Sequence, residues 1–299
     1  MKKKILKAFL LSILLVSCIV VIIIFELRQI PIGSSLAGVL LGLFAPLEFM
    51  SIQDFFDSSS WKASQRKLKR GGFIDDETYI RISFAYLYRI KVDDKYLLVQ
   101  NNRNTGKYQP VGGVYKLQDE EKIFLKNKFH VVDDDKISID DSSKNDYRLR
   151  IKNKYLRAFV KRFDKGSQRE TISDASREFK EELINNNILD WKQIKYRYCG
   201  RHIGEIKFGE HFQTYELLLA DILELLPTEE QLKDLRELKK RNCELYHFAS
   251  SSEILSLGVK PYKKENIETI GDHTKKILQE REDDLIKTKE VNKTFSVSL

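Results

Sequence analysis

Cysteine is scarce in this chain. Its 299 residues hold three, Cys18, Cys199 and Cys243. The first lies inside an apolar run and the other two are far apart in no metal-like spacing. A disulfide framework is therefore excluded as the organising principle, and a reducing compartment is the natural home of the soluble part. His202, His211, His247 and His273 show no ligand spacing either, which points to ordinary core or surface roles. No internal repeat is visible. Charge is missing altogether from residues 8–25 (AFLLSILLVSCIVVIIIF).

What is present is unevenly spread. Hydrophobic residues make up 42% and charged residues 32% of the chain, enough for a folded core and against global disorder. The first fifty residues carry a dense apolar block, and the remainder reads as a charged soluble protein. The formal charge of +8 suits nucleic acid, anionic lipid or a phosphate-rich ligand and does not choose among them.

Residues 8–25 would make about 27 Å of helix, close to the thickness of a bilayer's hydrocarbon core. Leu15-Val16-Ser17-Cys18 has the look of a lipobox, but residues 19–25 continue apolar and would leave a greasy mature end. A secretory signal has a shorter apolar region, about 7–15 residues. A retained membrane helix is the better reading. After a short link with Pro31, residues 32–50 (IGSSLAGVLLGLFAPLEFM) reach roughly 28 Å. Pro46 and Glu48 weaken this second segment, and a re-entrant or interfacial helix is its alternative. Lys2, Lys3, Lys4 and Lys7 precede the first segment, and Lys62, Arg66, Lys67, Lys69 and Arg70 follow the second, while the link holds Arg28 beside Glu26. The positive-inside rule places both flanks, both termini and the soluble part in the cytoplasm, on the inner side of the cell membrane. Gly38 and Gly42 form a GxxxG pair that would let helix backbones approach.

The chain divides into a hairpin at 1–53 (helices about 5–25 and 32–50), a basic connector at 54–75, a domain at 76–280 and a tail at 281–299. Within the domain, 79–90 and 96–100 alternate as strands around a turn at 92–95, and a hairpin is expected. Residues 117–150 read as an insertion with weak local structure. Residues 155–163 read as a strand or a short helix. Residues 172–184 have a helical period, 191–202 and 212–226 run as strands, and Thr228 with Gln231 fits a capping box before a helix at 228–238. Residues 246–249 form a short strand and 266–287 a charged amphipathic helix. Mixed strands with a few helices give an α+β class.

The chemistry is concentrated in Arg177-Glu178-Phe179-Lys180-Glu181-Glu182. On a helix, Glu178 lies three and four positions from Glu181 and Glu182, so their carboxylates gather on one side while Ala175, Phe179 and Leu183 face a core. Arg177 sits one turn before Glu181. Clustered carboxylates repel unless a cation joins them, and hard divalent cations such as Mg²⁺ favour such oxygen ligands. The alternative is a solvated acidic helix. Arg81, Arg103 and Lys107 could meet phosphates, and Tyr79, Tyr86, Tyr88 and Tyr108 could stack bases or pack a core.

REFKEE resembles the REUxEE core of the Nudix box, and Gln109-Pro-Val-Gly-Gly113 resembles the segment that precedes it. RISFAYLYRIKVDDKYLLVQNN, YQPVGGVYK, REFKEEL and FQTYELLLADI together resemble the SMODS-associated Nudix domain. In its two-transmembrane form that domain is an effector of CBASS, the bacterial cyclic-oligonucleotide antiphage system. The resemblance implies a Nudix-like mixed β-sheet and helix sandwich behind the transmembrane hairpin. It implies Glu178, Glu181 and Glu182 as metal ligands, Mg²⁺ as their cation and Arg177 as their support. It implies Gly112 and Gly113 at the phosphates; Arg81, Arg103 and Tyr108 are added as nucleotide contacts on residue type alone. It also implies a cyclic oligonucleotide ligand, a functional link to a CD-NTase, the bilayer as partner and a homo-oligomer, with no DNA or RNA polymer.

The box departs from the family pattern. Glu170 to Arg177 is one residue short, Ile184 replaces the closing glycine, and more than fifty residues separate Gly113 from the helix. No catalytic residue is assigned, and a sensor that promotes hairpin oligomerisation, membrane disruption and abortive infection is expected over an enzyme. The rival expectations are a membrane-anchored, Mg²⁺-dependent Nudix hydrolase of nucleoside-diphosphate derivatives, and a membrane scaffold for a protein partner.

Overall fold

The computed structural model describes residues 2–56, 60–101, 106–136, 143–166, 168–259 and 268–299. It divides into two compact units, Met1–Lys67 and Leu68–Leu299, where the sequence suggested breaks at 53 and 75.

The first unit is a helical hairpin, α1 (Lys2–Leu27) and α2 (Pro31–Phe56), both longer than expected. Gln29 turns the chain with φ 54°. Within these helices, Phe9–Leu27 and Ile32–Ile52 are long and apolar enough to cross a membrane. Their outer faces stay bare: Phe9, Val16, Ile23, Leu36, Val39 and Leu43 are all exposed. A core helix of a soluble protein would bury such residues. The inner faces meet through small residues, since Ala37 and Cys18 are buried and Gly33 sits against the ring of Phe25. Ser12 donates a hydrogen bond to Glu48 across the pair. Gly38 and Gly42 have nothing around the position a side chain would take, so the GxxxG pair is not used within the hairpin. Helix α3 (Ser60–Arg70) follows and carries the cations of the connector.

In the second unit the chain runs β1 (Tyr79–Arg89), β2 (Lys91–Val92), β3 (Lys95–Gln100), β4 (Tyr108–Gln109), β5 (Gly112–Val114), α4 (Asp119–Phe129), β6 (Val132–Asp133), β7 (Arg148–Lys152) and α5 (Leu156–Lys165). Then come α6 (Arg177–Phe179), β8 (Gln193–Ile203), β9 (Lys207–Gly209), β10 (Thr214–Leu225), α7 (Glu229–Lys240), β11 (Tyr246–Ser250), α8 (Ser251–Leu255) and β12 (Thr294–Ser298). An eight-stranded mixed sheet has the path β12-β8-β10-β1-β7-β6, with β5 also on β1 and β9 on β10. A second sheet joins β11, β3 and β2, with β4 on β3. The α+β expectation holds.

Strand β1 is the axis. It pairs in parallel with β10 along most of its length. On its other edge it pairs first with β7 and then with β5. Its even-numbered side chains, Ile82, Phe84, Tyr86 and Tyr88, have no exposure. They pack an aromatic core in which Phe84 meets Phe163 edge-on at 4.7 Å and Tyr88 meets Phe179 at 5.4 Å, the geometry aromatic quadrupoles favour. The opposite face holds a second core around Leu87, Ala220, Ile222, Ile277 and Leu278.

Four local expectations change. The 92–95 turn is present, with Asp93 at φ 54°, but its hairpin is β2–β3 in the second sheet, while β1 stays in the first. The described residues of the 117–150 insertion are structured: they supply α4, β6 and the start of β7, which pairs with β1. The 281–299 tail ends in β12, an edge strand on β8. The amphipathic helix expected at 266–287 is two 3₁₀ segments, Asp272–Ile277 and Gln279–Asp284. Buried Arg89 donates to the carbonyls of Ile277 and Leu278 at the junction between them, and that competes with a continuous helix. Thr228 caps α7 in the capping box expected.

Candidate functional site

The acidic helix is short. A 3₁₀ turn at Ile172–Asp174 precedes it, and α6 passes directly into a π-helical turn at Lys180–Ile184. Such turns widen the helix by one residue and recur at functional sites. Phe179 and Leu183 anchor it in the aromatic core, as the period indicated. Tyr88 Oη donates to the carbonyl of Ala175, holding the segment to β1.

Arg177 is the hub of the charges. Its guanidinium donates to Glu178 Oε1 at 2.5 Å, to Glu170 Oε2 at 3.2 Å and to the carbonyl of Val114 at 2.9 Å. Glu181 lies farther off at 3.6 Å and is half exposed. Glu170 also accepts from the Lys116 backbone N–H and from Tyr86 Oη. Burial works against the charge of Arg177, but Tyr86, Glu178 and Glu170 around it raise its pKa above the ordinary guanidinium value. The Glu178 carboxyl is raised by burial and by the neighbouring Glu181 and Glu170, against the pull of Arg177.

Glu182 behaves differently from its neighbours. It is buried and turned inward, accepting from the Gly112 backbone N–H at 2.9 Å. Burial, with the charges of Glu178 and Glu181, pushes its pKa up to about 8; Gly112 and Gln109 oppose the shift. The glycines expected at the phosphates thus meet the helix itself. A Cβ on Gly113 would fall 1.9 Å from Glu178 Oε1, and one on Gly112 would meet the Tyr86 carbonyl at 2.3 Å, at a φ of 149°. Gly112 needs glycine so that β5 can pair with β1, and Gly113 leaves room for the Glu178 side chain between β5 and the helix.

These oxygens have the chemistry a hard divalent cation prefers. Their arrangement is another matter. Arg177 already supplies positive charge to Glu170, Glu178 and Glu181, and Glu182 is committed to Gly112. Among the described residues, no group of three or more His, Cys, Asp or Glu is placed to hold a metal ion. The cluster gathers Glu170, Glu178 and Glu181 around one arginine, with Glu182 turned to the Gly112 N–H.

The other residues singled out in the sequence lie elsewhere. Arg81 is buried and donates to Asp134 at 2.8 Å and to Glu216 at 2.7 Å, with Phe212 over its guanidinium; its charge is spent within the fold. Tyr108 packs its ring on His247 and donates to the carbonyl of Glu244. Arg103 is outside the described residues. Sequence reading missed Asp221, which has no exposure and accepts from Tyr115, Tyr198 and both arms of Arg201. A lone aspartate in the apolar run LLLADIL was the available signal, because a buried charge needs partners.

The model of the SMODS-associated NUDIX domain matches residues 79–278. The chain belongs to this family. The match starts at β1 and ends within the second core, so the acidic helix, the Gly112–Gly113 strand and the 3₁₀ segment that follows residue 271 are all NUDIX-domain parts. No curated protein and no solved structure matches the chain. NUDIX proteins generally use divalent metals such as Mg²⁺. A SMODS-associated NUDIX domain behind two helices able to cross a membrane fits a CBASS-associated effector.

Proposed function

We propose that the chain is a membrane-anchored sensor and effector of CBASS. The NUDIX domain takes up a cyclic oligonucleotide made by a partner CD-NTase. Uptake drives self-association, the hairpins cluster and the membrane is breached, arresting or killing an infected cell. The observation that carries this reading is the joining, in one chain, of a SMODS-associated NUDIX domain with two bare apolar helices. The cations of 2–7 and 62–70 support a cytoplasmic placement of both termini and of the NUDIX domain on the inner side of the membrane. The unoccupied Gly38–Gly42 face supports assembly between hairpins, since small residues let backbones pack closely in lipid.

A ligand moves such an equilibrium only by binding the assembled state more tightly than the free one. The test is dye release from liposomes holding the full chain, with a panel of cyclic di- and trinucleotides. Release on addition of one of them is expected; silence across the panel with protein shown to be inserted overturns the reading.

One observation favours a second reading, a membrane-anchored NUDIX hydrolase of nucleoside-diphosphate derivatives. Glu182 is buried on the same turn as Glu178, and burial pushes its carboxyl up to about 8, an environment suited to acid–base work. In that case Glu178, Glu181 and Glu182 would hold Mg²⁺, which would supply Lewis-acid and charge-neutralising chemistry at a phosphate. Mg²⁺-dependent phosphate release, lost in Glu181→Gln, would establish it.

A further inference from the structure

Strand β1 is paired on both of its edges, but pairing leaves the two faces of a sheet to be covered by other elements. On the face opposite the acidic helix Ser83 and Ala85 are only half-buried, while Phe84 and Tyr86 on the other face have no exposure. Leu218 on β10, paired with Ser83, is half-buried as well. A row of Val114, Ala85, Ala220 and His202 crosses four strands on this face. Ala220 and Val114 of this row are buried, Ala220 within the second core, so the cleft is a shallow opening at half-buried Ser83, Ala85 and Leu218, next to His202.

The 3₁₀ segment Asp272–Ile277 overhangs that opening. Ile277 belongs to the second core and Thr274 is fully buried, which pins the segment. His202 Nε2 bonds the carbonyl of Lys276 at 3.0 Å. The ring of His273 lies against Gly271, where a Cβ would meet it at 2.9 Å. The charges around the cleft are lopsided. Lys275 is paired with Asp272 at 2.8 Å and Arg281 with Asp284 at 2.9 Å, and Glu216 is taken by Arg81. Lys276 and Lys207, close enough to feel each other, have no ion-pair partner among the described residues. Burial lowers the pKa of Lys276 and His202 and pushes His273 down to about 4, and the neighbouring Asp272 opposes the shift of Lys276 and His273, the direction desolvation gives a cationic group.

We infer that this cleft binds a phosphodiester of a nucleotide ligand, with Lys276 and Lys207 meeting the phosphate, His202 and His273 beside it, and the Ser83–Ala85 floor under the adjoining sugar or base. Converging cations around a small-residue floor complement a phosphate next to a flat ring. The ligand's identity as a cyclic nucleotide rests on the sensor reading; the anion site does not.

The test uses the full chain in phosphatidylcholine nanodiscs, so that no anionic headgroup competes. Calorimetry measures binding of pyrophosphate, cyclic di-AMP and cyclic tri-AMP. Wild type is expected to bind pyrophosphate and at least one cyclic nucleotide. Lys276→Met, which keeps the aliphatic stem, and Lys207→Ala, on an exposed strand, are each expected to weaken every bound probe tenfold or more. Lys276→Arg restores most of the affinity, and Arg236→Ala, an equal loss of charge on α7, leaves it within twofold. Ala85→Leu fills the floor and weakens the cyclic nucleotide while sparing pyrophosphate. Affinities unchanged in Lys276→Met and Lys207→Ala, or no binding of any probe by wild type, overturn the inference. Ligand-driven dye release that persists in both lysine variants sinks the cleft and leaves the sensor reading standing. Lysine-dependent pyrophosphate binding without any ligand-driven release sustains the cleft and sinks the sensor reading.

Discussion

Gly113 leaves room for a carboxylate where any larger residue would drive a Cβ to 1.9 Å from Glu178 Oε1, so β5 and the acidic helix form one packing unit. Gly113→Ala is expected to destabilise by about 1–3 kcal/mol, the usual range for overpacking. Combined with Glu178→Ala the loss should fall short of the sum, because the second change removes the obstacle. Strictly additive melting shifts would count against this packing. Glu182 gives a second expectation. Its folded pKa of about 8 lies above the ordinary carboxyl value of 4.5. Below pH 4.5 both states are protonated and nothing is lost. Between these values the folded state holds the extra proton, so stability falls as pH rises, on the order of 1.4 kcal/mol per pH unit at most. Glu182→Gln mimics the protonated form and keeps an acceptor for Gly112. Its melting temperature should gain on wild type from pH 5 to pH 8.5; a constant gap would show that Glu182 is ionised throughout.

At the scale of elements, the hairpin separates two uses of small residues. Gly33 and Ala37 face α1, whereas Gly38 and Gly42 face open space. Isoleucine at both of the latter should leave insertion and the fold of the hairpin intact while blocking close contact between hairpins. Ligand-driven dye release should then drop to background. Release at the wild-type rate would place assembly on some other surface. The acidic helix shows how far an element can be read beforehand. Its apolar face and its charges were legible because both follow from helical spacing. Its π turn and the inward swing of Glu182 were not, since they depend on the Gly112 N–H, seventy residues earlier in the chain.

For the molecule as a whole, the division at Lys67 and Leu68 sets a further expectation. Residues 68–299 contain both sheets and both cores, so this piece should fold by itself into a cooperative unit. A two-state melt with native-like circular dichroism would bear that out, and a molten, non-cooperative melt would refute it. The sequence by itself determined the apolar helices, the mixed class, the family and the acidic helix, because hydropathy, local period and motif order are properties of neighbours along the chain. Tertiary structure alone decided that Arg81 is spent on Asp134 and Glu216, that β6, β7 and β12 extend the sheet, and that Lys207 and Lys276 come near each other on the face of half-buried Ala85. Each of these depends on strand register and on contacts between residues far apart in sequence. A side chain's charge is legible in one dimension, whereas what neutralises it is settled only when the sheet brings distant strands together.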